Sequence, residues 1–382
     1  MDKDKRHRPR VGMVGAGQLA RMTYQAAVSL DVEMSVLSNS ANAPAVLAGA
    51  PRVPGAATSI AALRHLAGRS DVVTFDHEGV PAGIVSTLER ERTLVRPSSE
   101  ALLLAQDKLA GRHRLDRAGF PVPPYRELDI HHPDMLDALG EKWGWPLVLK
   151  ARTGGYDGRG VVIVDRTDAR RILAGAGPET WFAEAAVDIA TEVAVVAARS
   201  PSGAWEPYPL VETTQEDGIC RELVMPARVP EGIAKQALDM AETLASRIGA
   251  TGIIAVEMFV TGQGGLVLNE LAVRPHNSGH ATIEGAVTSQ FENHLRAILD
   301  WPLGSAAMVS PAAAMVNVLG SPDGADPRDN LAKALSVRNA RVHLYGKEPA
   351  PGRKLGHVTA LAPTHEEALS TARACASLLN GN

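Results

Sequence analysis

The chain has 382 residues, of which 45% are hydrophobic and 21% charged, with a formal net charge of −4. That length exceeds the size at which single cores stop growing, so two or three domains sharing a cleft are expected. Near-neutral charge and 4% aromatic residues argue against nucleic acid as a partner, because they supply neither a field for a polyanion nor a stacking platform; any anion site must be local. Two cysteines, Cys220 and Cys375, are too few for a disulfide framework or a zinc site and fit a reducing, cytoplasmic setting. The charged opening MDKDKRHRPR reads as a frayed tail, and the run VGMVGAG after it is too short and glycine-rich for a signal segment. Apolar runs such as residues 252–260, with Glu257 inside, fall short of a membrane span, so no membrane partner is expected.

In chain order, VGMVGAG at residues 11–17 predicts a buried strand, residues 18–30 a helix, residues 33–37 a second strand and residues 71–75 a third. Strand, helix, strand implies a small parallel sheet. Proline-rich breaks at Arg96-Pro97 and residues 120–124 bracket a predicted helix over 106–118, closed by Gly119. From Pro146 the signals change: PLVLKAR and GVVIVD are β-rich runs joined by a glycine loop, which reads as a hairpin. Strands over 192–198 and 207–212, a helix over 232–248 and the pair GIIAVEMFV and GGLVLNELAV extend an antiparallel α+β region. Strand-like AAAMVNVLG, ARVHLYG and GHVTALA follow, then a final helix at whose start Thr364 and Glu367 have capping-box spacing. No long internal repeat or low-complexity tract interrupts this order.

Three features carry chemistry. Gly15-Ala-Gly17-Gln-Leu-Ala20 fits G-x-G-x-x-A between a strand and a helix, open to a dinucleotide, to another anion at the helix N-terminus or to a tight structural turn. The second strand ends at Leu37-Ser38-Asn39 with no acid to grip a ribose hydroxyl, which weakens the dinucleotide reading. The loop KARTGGYDGRG, residues 150–160, packs four glycines and three cations between two strands, so it is no Walker loop; it can close over a triphosphate as a lid, with Lys150 aimed at the nucleotide, or be a plain surface hairpin. Finally, if residues 252–260 and 264–273 pair about Gln263 and Gly264, positions summing to 527 face each other, which sets Glu257 opposite Glu270. Like charges so placed destabilise a sheet unless a cation lies between them, and hard oxygens beside phosphate favour Mg²⁺. Asn269 adds an oxygen if the strand bulges. Two solvated glutamates are the alternative.

GAGQLARM, TGGYDGRG, NELAVRPHNSGHATIEGAVTSQFENHLRA and GKEPAPGRKLGH together resemble the ATP-grasp ligases, and within them the N5-carboxyaminoimidazole ribonucleotide synthetase family, over nearly the whole chain. The resemblance implies an α/β and α+β fold in three parts: a Rossmann-like pre-ATP-grasp domain over 1–111, an ATP-grasp domain over 112–298 whose two sheets clasp ATP, and a small β-rich C-terminal domain over 299–382. It implies a homodimer, with ATP and Mg²⁺ as cofactors and bicarbonate as co-substrate: ATP phosphorylates bicarbonate to carboxyphosphate, and the exocyclic amine of aminoimidazole ribonucleotide takes the carboxyl group, either from carboxyphosphate or from CO₂ released in the site. By resemblance, ATP contacts fall on Lys108, Lys150, the loop Gly155, Tyr156, Asp157, Gly158, Arg159, Gly160 and Val161, the hinge Glu184, Ala185, Ala186 and Val187, on Glu192, which suits ribose hydroxyls, and on Gln215, Asn269 and Glu270. Metal ligation falls on Glu257 and Glu270. The catalytic group is Tyr156, Asp157, Arg274, His276 and Asn277, with His276 either a general base or a positioning residue. Gln18, Glu78, Lys347, Arg353 and Lys354 are the expected contacts to the ribonucleotide.

The chain departs from the family pattern at Ala20, where a third glycine is common, at Gln215 for histidine, at Asp76 for an acid one carbon longer and at Val273 for proline. Rival readings are a formate-dependent glycinamide ribonucleotide transformylase, an NAD-linked dehydrogenase using the GAGQLA turn, and a non-catalytic nucleotide-binding regulator on the same fold.

Overall fold

The computed structural model describes residues 8–129, 132, 134–154, 160–169, 171 and 180–381. Its first sheet is parallel, in the order Arg52–Pro54, Glu33–Ser38, Arg10–Val14, Val72–Phe75. The helix Gln18–Ser29 follows the first strand as its apolar spacing predicts. The short strand Arg52–Pro54 has too few apolar residues to announce itself. The predicted helix over 106–118 is present as Lys108–Arg117, and a further helix that was not expected, Ser99–Gln106, precedes it. Asp107 divides them: its backbone is extended and its carboxylate accepts from the Ala110 amide at 2.9 Å, an N-cap that restarts the helix.

Two further sheets follow. A small antiparallel one runs Tyr125–Glu127, Trp181–Ala185, Leu147–Ala151, Val161–Val164, and includes the expected hairpin with Lys150 opposite Val161. It has its own core around Leu136, Leu147, Leu149 and Trp181. The large sheet runs Leu266–Ala272, Gly252–Thr261, Ile189–Arg199, Val211–Glu216, Ile219–Met225, Ala312–Leu319, Lys354–Ala362, Ala340–Leu344, with Trp205–Pro207 also paired to Ile189–Arg199. The strand expected over 207–212 is therefore divided between Trp205–Pro207 and Val211–Glu216; Pro207 and Pro209 lack the amide hydrogens a continuous ladder needs.

The three C-terminal strands continue the large sheet, since Ile219–Met225 pairs with Ala312–Leu319. One core runs from Val14 and Phe75 in the first sheet through Leu102 and Leu104 to Ile254, Leu268 and Leu271. The first sheet, the helices after it and the edge hairpin of the large sheet are thus packed together, which fixes the hairpin against Lys108–Arg117. At the far end, the Thr364 side chain accepts from the Glu367 amide at 3.2 Å, as its capping spacing predicts. Among the described residues no helix is long and apolar enough to cross a membrane.

Candidate active site

The site is built around the edge hairpin. Near its turn Val260 faces Leu266 and Met258 faces Leu268; beyond a bulge Glu257 faces Glu270 and Ala255 faces Ala272. Asn269 is the extra residue. The bulge shifts the phase by one, and this shift is what sets both glutamates on one face of the sheet. Partial withdrawal from water, then the neighbouring Glu270 and Glu192 carboxylates, push the Glu257 carboxyl up to about 7. Desolvation opposes ionisation of Glu270 too, but Lys108, then Lys150 and Arg274, hold its carboxyl below the ordinary range.

Cations converge on this pair from separate elements. Lys108, first residue of its helix, donates to Glu270 Oε1 at 2.6 Å. Lys150 is buried in the small sheet, its Nζ 2.7 Å from Glu184 Oε2 and donating to Asn269 Oδ1 at 3.0 Å. Burial lowers the Lys150 pKa, and Glu184 opposes that shift. Arg274 follows the hairpin, its Nε 2.8 Å from Glu78 Oε1 of the first domain. Lys354 opens its strand as a buried cation close enough to bias both Glu257 and His276.

His276 is neutral: withdrawal from water, then Arg274 and Lys354, bring its pKa down to about 3. Its Nδ1 accepts from the Ser278 amide at 3.3 Å, so the ring proton belongs on Nε2, which lies 3.9 Å from Glu257 Oε1. Gln290 clamps the loop by accepting from the His276 amide at 2.9 Å and donating to its carbonyl at 2.7 Å. Asn277 and Asn317 exchange side-chain amide hydrogen bonds at 3.1 and 2.9 Å, tying the loop to the C-terminal strands. Glu192 is hydrogen-bonded by Gln215, and its carboxyl is raised chiefly by burial.

Other expected residues lie less centrally. Lys347 Nζ sits 5.6 Å from the centre of the Tyr345 ring, and Arg353 donates to the Glu348 carbonyl at 3.1 Å. The hinge runs from buried Glu184 and Ala185 to exposed Ala186 and half-buried Val187. Gly160 has a φ of +74° and leads into Val161; Gly155, Tyr156, Asp157, Gly158 and Arg159 lie outside the described residues.

At the N-terminal turn the structure favours the tight structural turn among the alternatives. Gln18 starts its helix as expected, but the amide of Gly17 donates to Asp76 Oδ2 at 2.5 Å. A Cβ on Gly15, where φ is +102°, would lie 1.6 Å from Asp76 Oδ1. The anion at this helix N-terminus is the chain's own carboxylate, and Gly15 is required for that approach. Sequence reasoning also passed over Arg112, Gln290 and Asn317. Only Arg112 had a readable signal: it lies four residues after Lys108 and so shares its helix face.

A helix, a small sheet with a glycine loop and a large sheet with paired acids, all converging on one cationic cleft, define the ATP-grasp architecture. Residues 113–291 match the ATP-grasp domain, residues 9–106 the ribonucleotide synthetase pre-ATP-grasp domain and residues 313–371 the phosphoribosylaminoimidazole carboxylase C-terminal domain. N5-carboxyaminoimidazole ribonucleotide synthase of Mycobacterium bovis is 46% identical over 360 residues, which cover 92% of this chain and 83% of that protein. The Corynebacterium ammoniagenes protein of the same name is 38% identical over 97% of this chain and 92% of its own. A crystal structure of the Aspergillus clavatus carboxyaminoimidazole ribonucleotide synthase complexed with ATP superimposes with a TM-score of 0.90 at 36% identity, covering 98% of this chain and 99% of that one. Another from that organism, in complex with ADP and 5-aminoimidazole ribonucleotide, has a TM-score of 0.90 at 35% identity, with the same coverage. The chain belongs to the N5-carboxyaminoimidazole ribonucleotide synthase family.

Proposed function

We propose that this chain carboxylates the exocyclic amine of 5-aminoimidazole ribonucleotide to N5-carboxyaminoimidazole ribonucleotide, consuming ATP and bicarbonate, a step of purine biosynthesis. Family membership supports the reaction. The observation that carries the chemistry is Glu257 opposite Glu270 in a cleft supplied with cations from four elements. Two hard-oxygen ligands fit Mg²⁺, which takes one or two carboxylates and completes its shell with phosphate and water. When bound there, the ion supplies charge neutralisation for a triphosphate.

The chain's own residues then divide the work. Lys108 and Lys150 present fixed ammonium groups to the phosphates, Lys150 being aimed by Glu184 and Asn269. Backbone of the hinge 184–187 receives the adenine, Glu192 with Gln215 the ribose, and the loop 155–161 covers the phosphates and excludes water. A bicarbonate oxygen attacks the γ-phosphorus and ADP leaves. The amine nitrogen then attacks the carboxyl carbon, displacing phosphate and losing a proton. Arg274, oriented by Glu78, offers two parallel donors to the planar carboxylate. His276 acts by position: its Nε2–H points toward Glu257 and its Nδ1 is engaged by Ser278. Tyr156 and Asp157 close over the reacting carbon from the lid, and Asn277 holds the loop to the C-terminal part. Gln18, Glu78, Lys347, Arg353 and Lys354 take the ribonucleotide. The division at 1–111, 112–298 and 299–382, a homodimeric assembly and a cytoplasmic setting belong to the same reading.

A coupled ADP-release assay tests it. Turnover is expected only with ATP, bicarbonate and 5-aminoimidazole ribonucleotide together. Turnover with formate and glycinamide ribonucleotide instead, or tight NADH binding without ATP binding, overturns it.

A further inference from the structure

We propose that Arg112 is a positioning residue for the acidic hairpin: its guanidinium holds the bulge at Asn269 and thereby keeps Glu257 and Glu270 on one face of the sheet. The inference rests on the reading that this pair holds a divalent cation.

Leu266–Ala272 is an edge strand, so its bulge exposes backbone groups with no strand beyond to receive them. Those groups are met by other elements. The Leu268 amide donates to the Pro121 carbonyl at 2.8 Å. Arg112 Nη1 donates to the Leu268 carbonyl at 3.0 Å and Nη2 to the Asn269 carbonyl at 2.9 Å, the two carbonyls that straddle the phase change. Its Nε donates to Glu184 Oε1 at 2.6 Å, and the residue is 3% exposed. Only a planar fork can serve two successive carbonyls and a carboxylate at once.

Consider the hairpin without that clamp. If the pairing near the turn continued unbroken, Asn269 would face Glu257 and Glu270 would face Val256, whose side chain lies on the opposite face. The unbroken register keeps a full ladder whereas the bulge leaves Asn269 unpaired in it, so something beyond the ladder must favour the bulge. Arg112 chooses by binding two successive carbonyls on one edge, which a regular strand does not present together. Lys108, four residues before it on the same helix face, grips the Glu270 carboxylate, so one helix reads both the backbone and the side chain of the bulge. Glu184 adds the consequence for nucleotide: its two oxygens tie Arg112 and Lys150 to the same hinge strand.

The test is Arg112→Lys, which keeps the buried positive charge beside Glu184 and loses the fork. Mn²⁺ binding by electron paramagnetic resonance, hydrogen exchange of the peptide spanning 266–272 and thermal unfolding are measured on the full chain. Mn²⁺ affinity is expected to fall about tenfold, the range for groups that orient metal ligands, with faster exchange in that peptide and the KM for the ribonucleotide within twofold of the parent. Unchanged Mn²⁺ affinity and exchange, even with a lower melting temperature, overturns the proposal and leaves Arg112 a structural ion-pair member. Should Arg112→Lys fail to fold, Arg112→Gln with Glu184→Gln removes both buried charges together; weaker Mn²⁺ binding with faster exchange again supports the clamp, and parental values of both again overturn it. A parent protein that binds no Mn²⁺ refutes the underlying metal reading; a parent that binds it, with a variant that binds equally, refutes only the role of Arg112.

Discussion

Two places in the molecule crowd a carboxylate against its surroundings, and they resolve the charge in opposite ways. At the N-terminal turn, Asp76 is buried against the backbone of Gly15 and Gly17 and takes the Gly17 amide as its partner. Burial raises its pKa, and the helix N-terminus caps one of its oxygens, Oδ2, while the buried Oδ1 has no hydrogen-bond partner among the described residues. At the hairpin, Glu257 and Glu270 face one another, and the cations around them neutralise only Glu270 well. A glycine-rich turn can thus look like a ligand site and have its helix N-terminus taken by the chain's own carboxylate. Two acids in opposite strands look like a defect and are the part that calls for a ligand.

Mutation should therefore act on chemistry at the hairpin and on stability at the turn. Glu270→Gln gives the largest effect. Turnover is expected to fall about a thousandfold, since metal-borne charge neutralisation contributes several kcal/mol to the transition state. Stability should move by no more than about 1 kcal/mol, because losing the partly exposed pair with Lys108 is offset by relief of repulsion at Glu257. ADP release and denaturant unfolding on the same preparation measure both numbers. Near-parental turnover sinks metal ligation at this residue.

Gly15→Ala should do the reverse. An alanine at φ +102° is strained, and its methyl displaces Asp76 from the cap. Together these cost roughly 3 kcal/mol of unfolding free energy. Turnover per folded molecule is expected to stay within threefold of the parent. Parental stability would mean that the turn has room the structure does not show; lost turnover at full folding would return the turn to the ligand.

Much of this contrast is readable in the residues alone, and the remainder is not, for physical reasons. Residue spacing carried the parallel sheet, the lid hairpin and the pairing of Glu257 with Glu270, because period-2 alternation and turn composition are local. That pairing was reached through an unbroken register, whereas the structure reaches it through a shorter turn plus the bulge at Asn269. No local signal separates those routes, because the carbonyls that fix the bulge are bound by Arg112, more than 150 positions away in sequence. The Asp76 cap is equally non-local, lying 59 residues from Gly17. The joining of the C-terminal strands to the large sheet depends on one long-range strand pairing, which sequence pattern does not encode.

The seam between the two regions sharpens the comparison with a smaller effect. His294 is fully buried; its Nδ1 accepts from the Ile253 amide at 3.1 Å, so its Nε2 carries the proton and donates to Thr74 Oγ1 at 2.9 Å. Thr74 lies two residues before Asp76, and Ile253 is the second residue of the strand that ends in the acidic hairpin. Burial brings the His294 pKa down to about 3. Its folded value is therefore below the unfolded value near 6.5, so the unfolded chain binds the extra proton. The associated stability is present above pH 6.5 and is lost as pH falls toward 3, at up to about 1.4 kcal/mol per pH unit. Between pH 6.5 and 5 the parent should lose roughly 2 kcal/mol through this residue. His294→Leu should flatten the slope by that amount while lowering stability at pH 8, where the two hydrogen bonds are missing. Unfolding free energies at pH 5, 6.5 and 8 decide it. Equal slopes in parent and variant would show that the seam does not set the acid sensitivity, leaving the buried histidines behind the active-site loop, His280 and His357, to account for it.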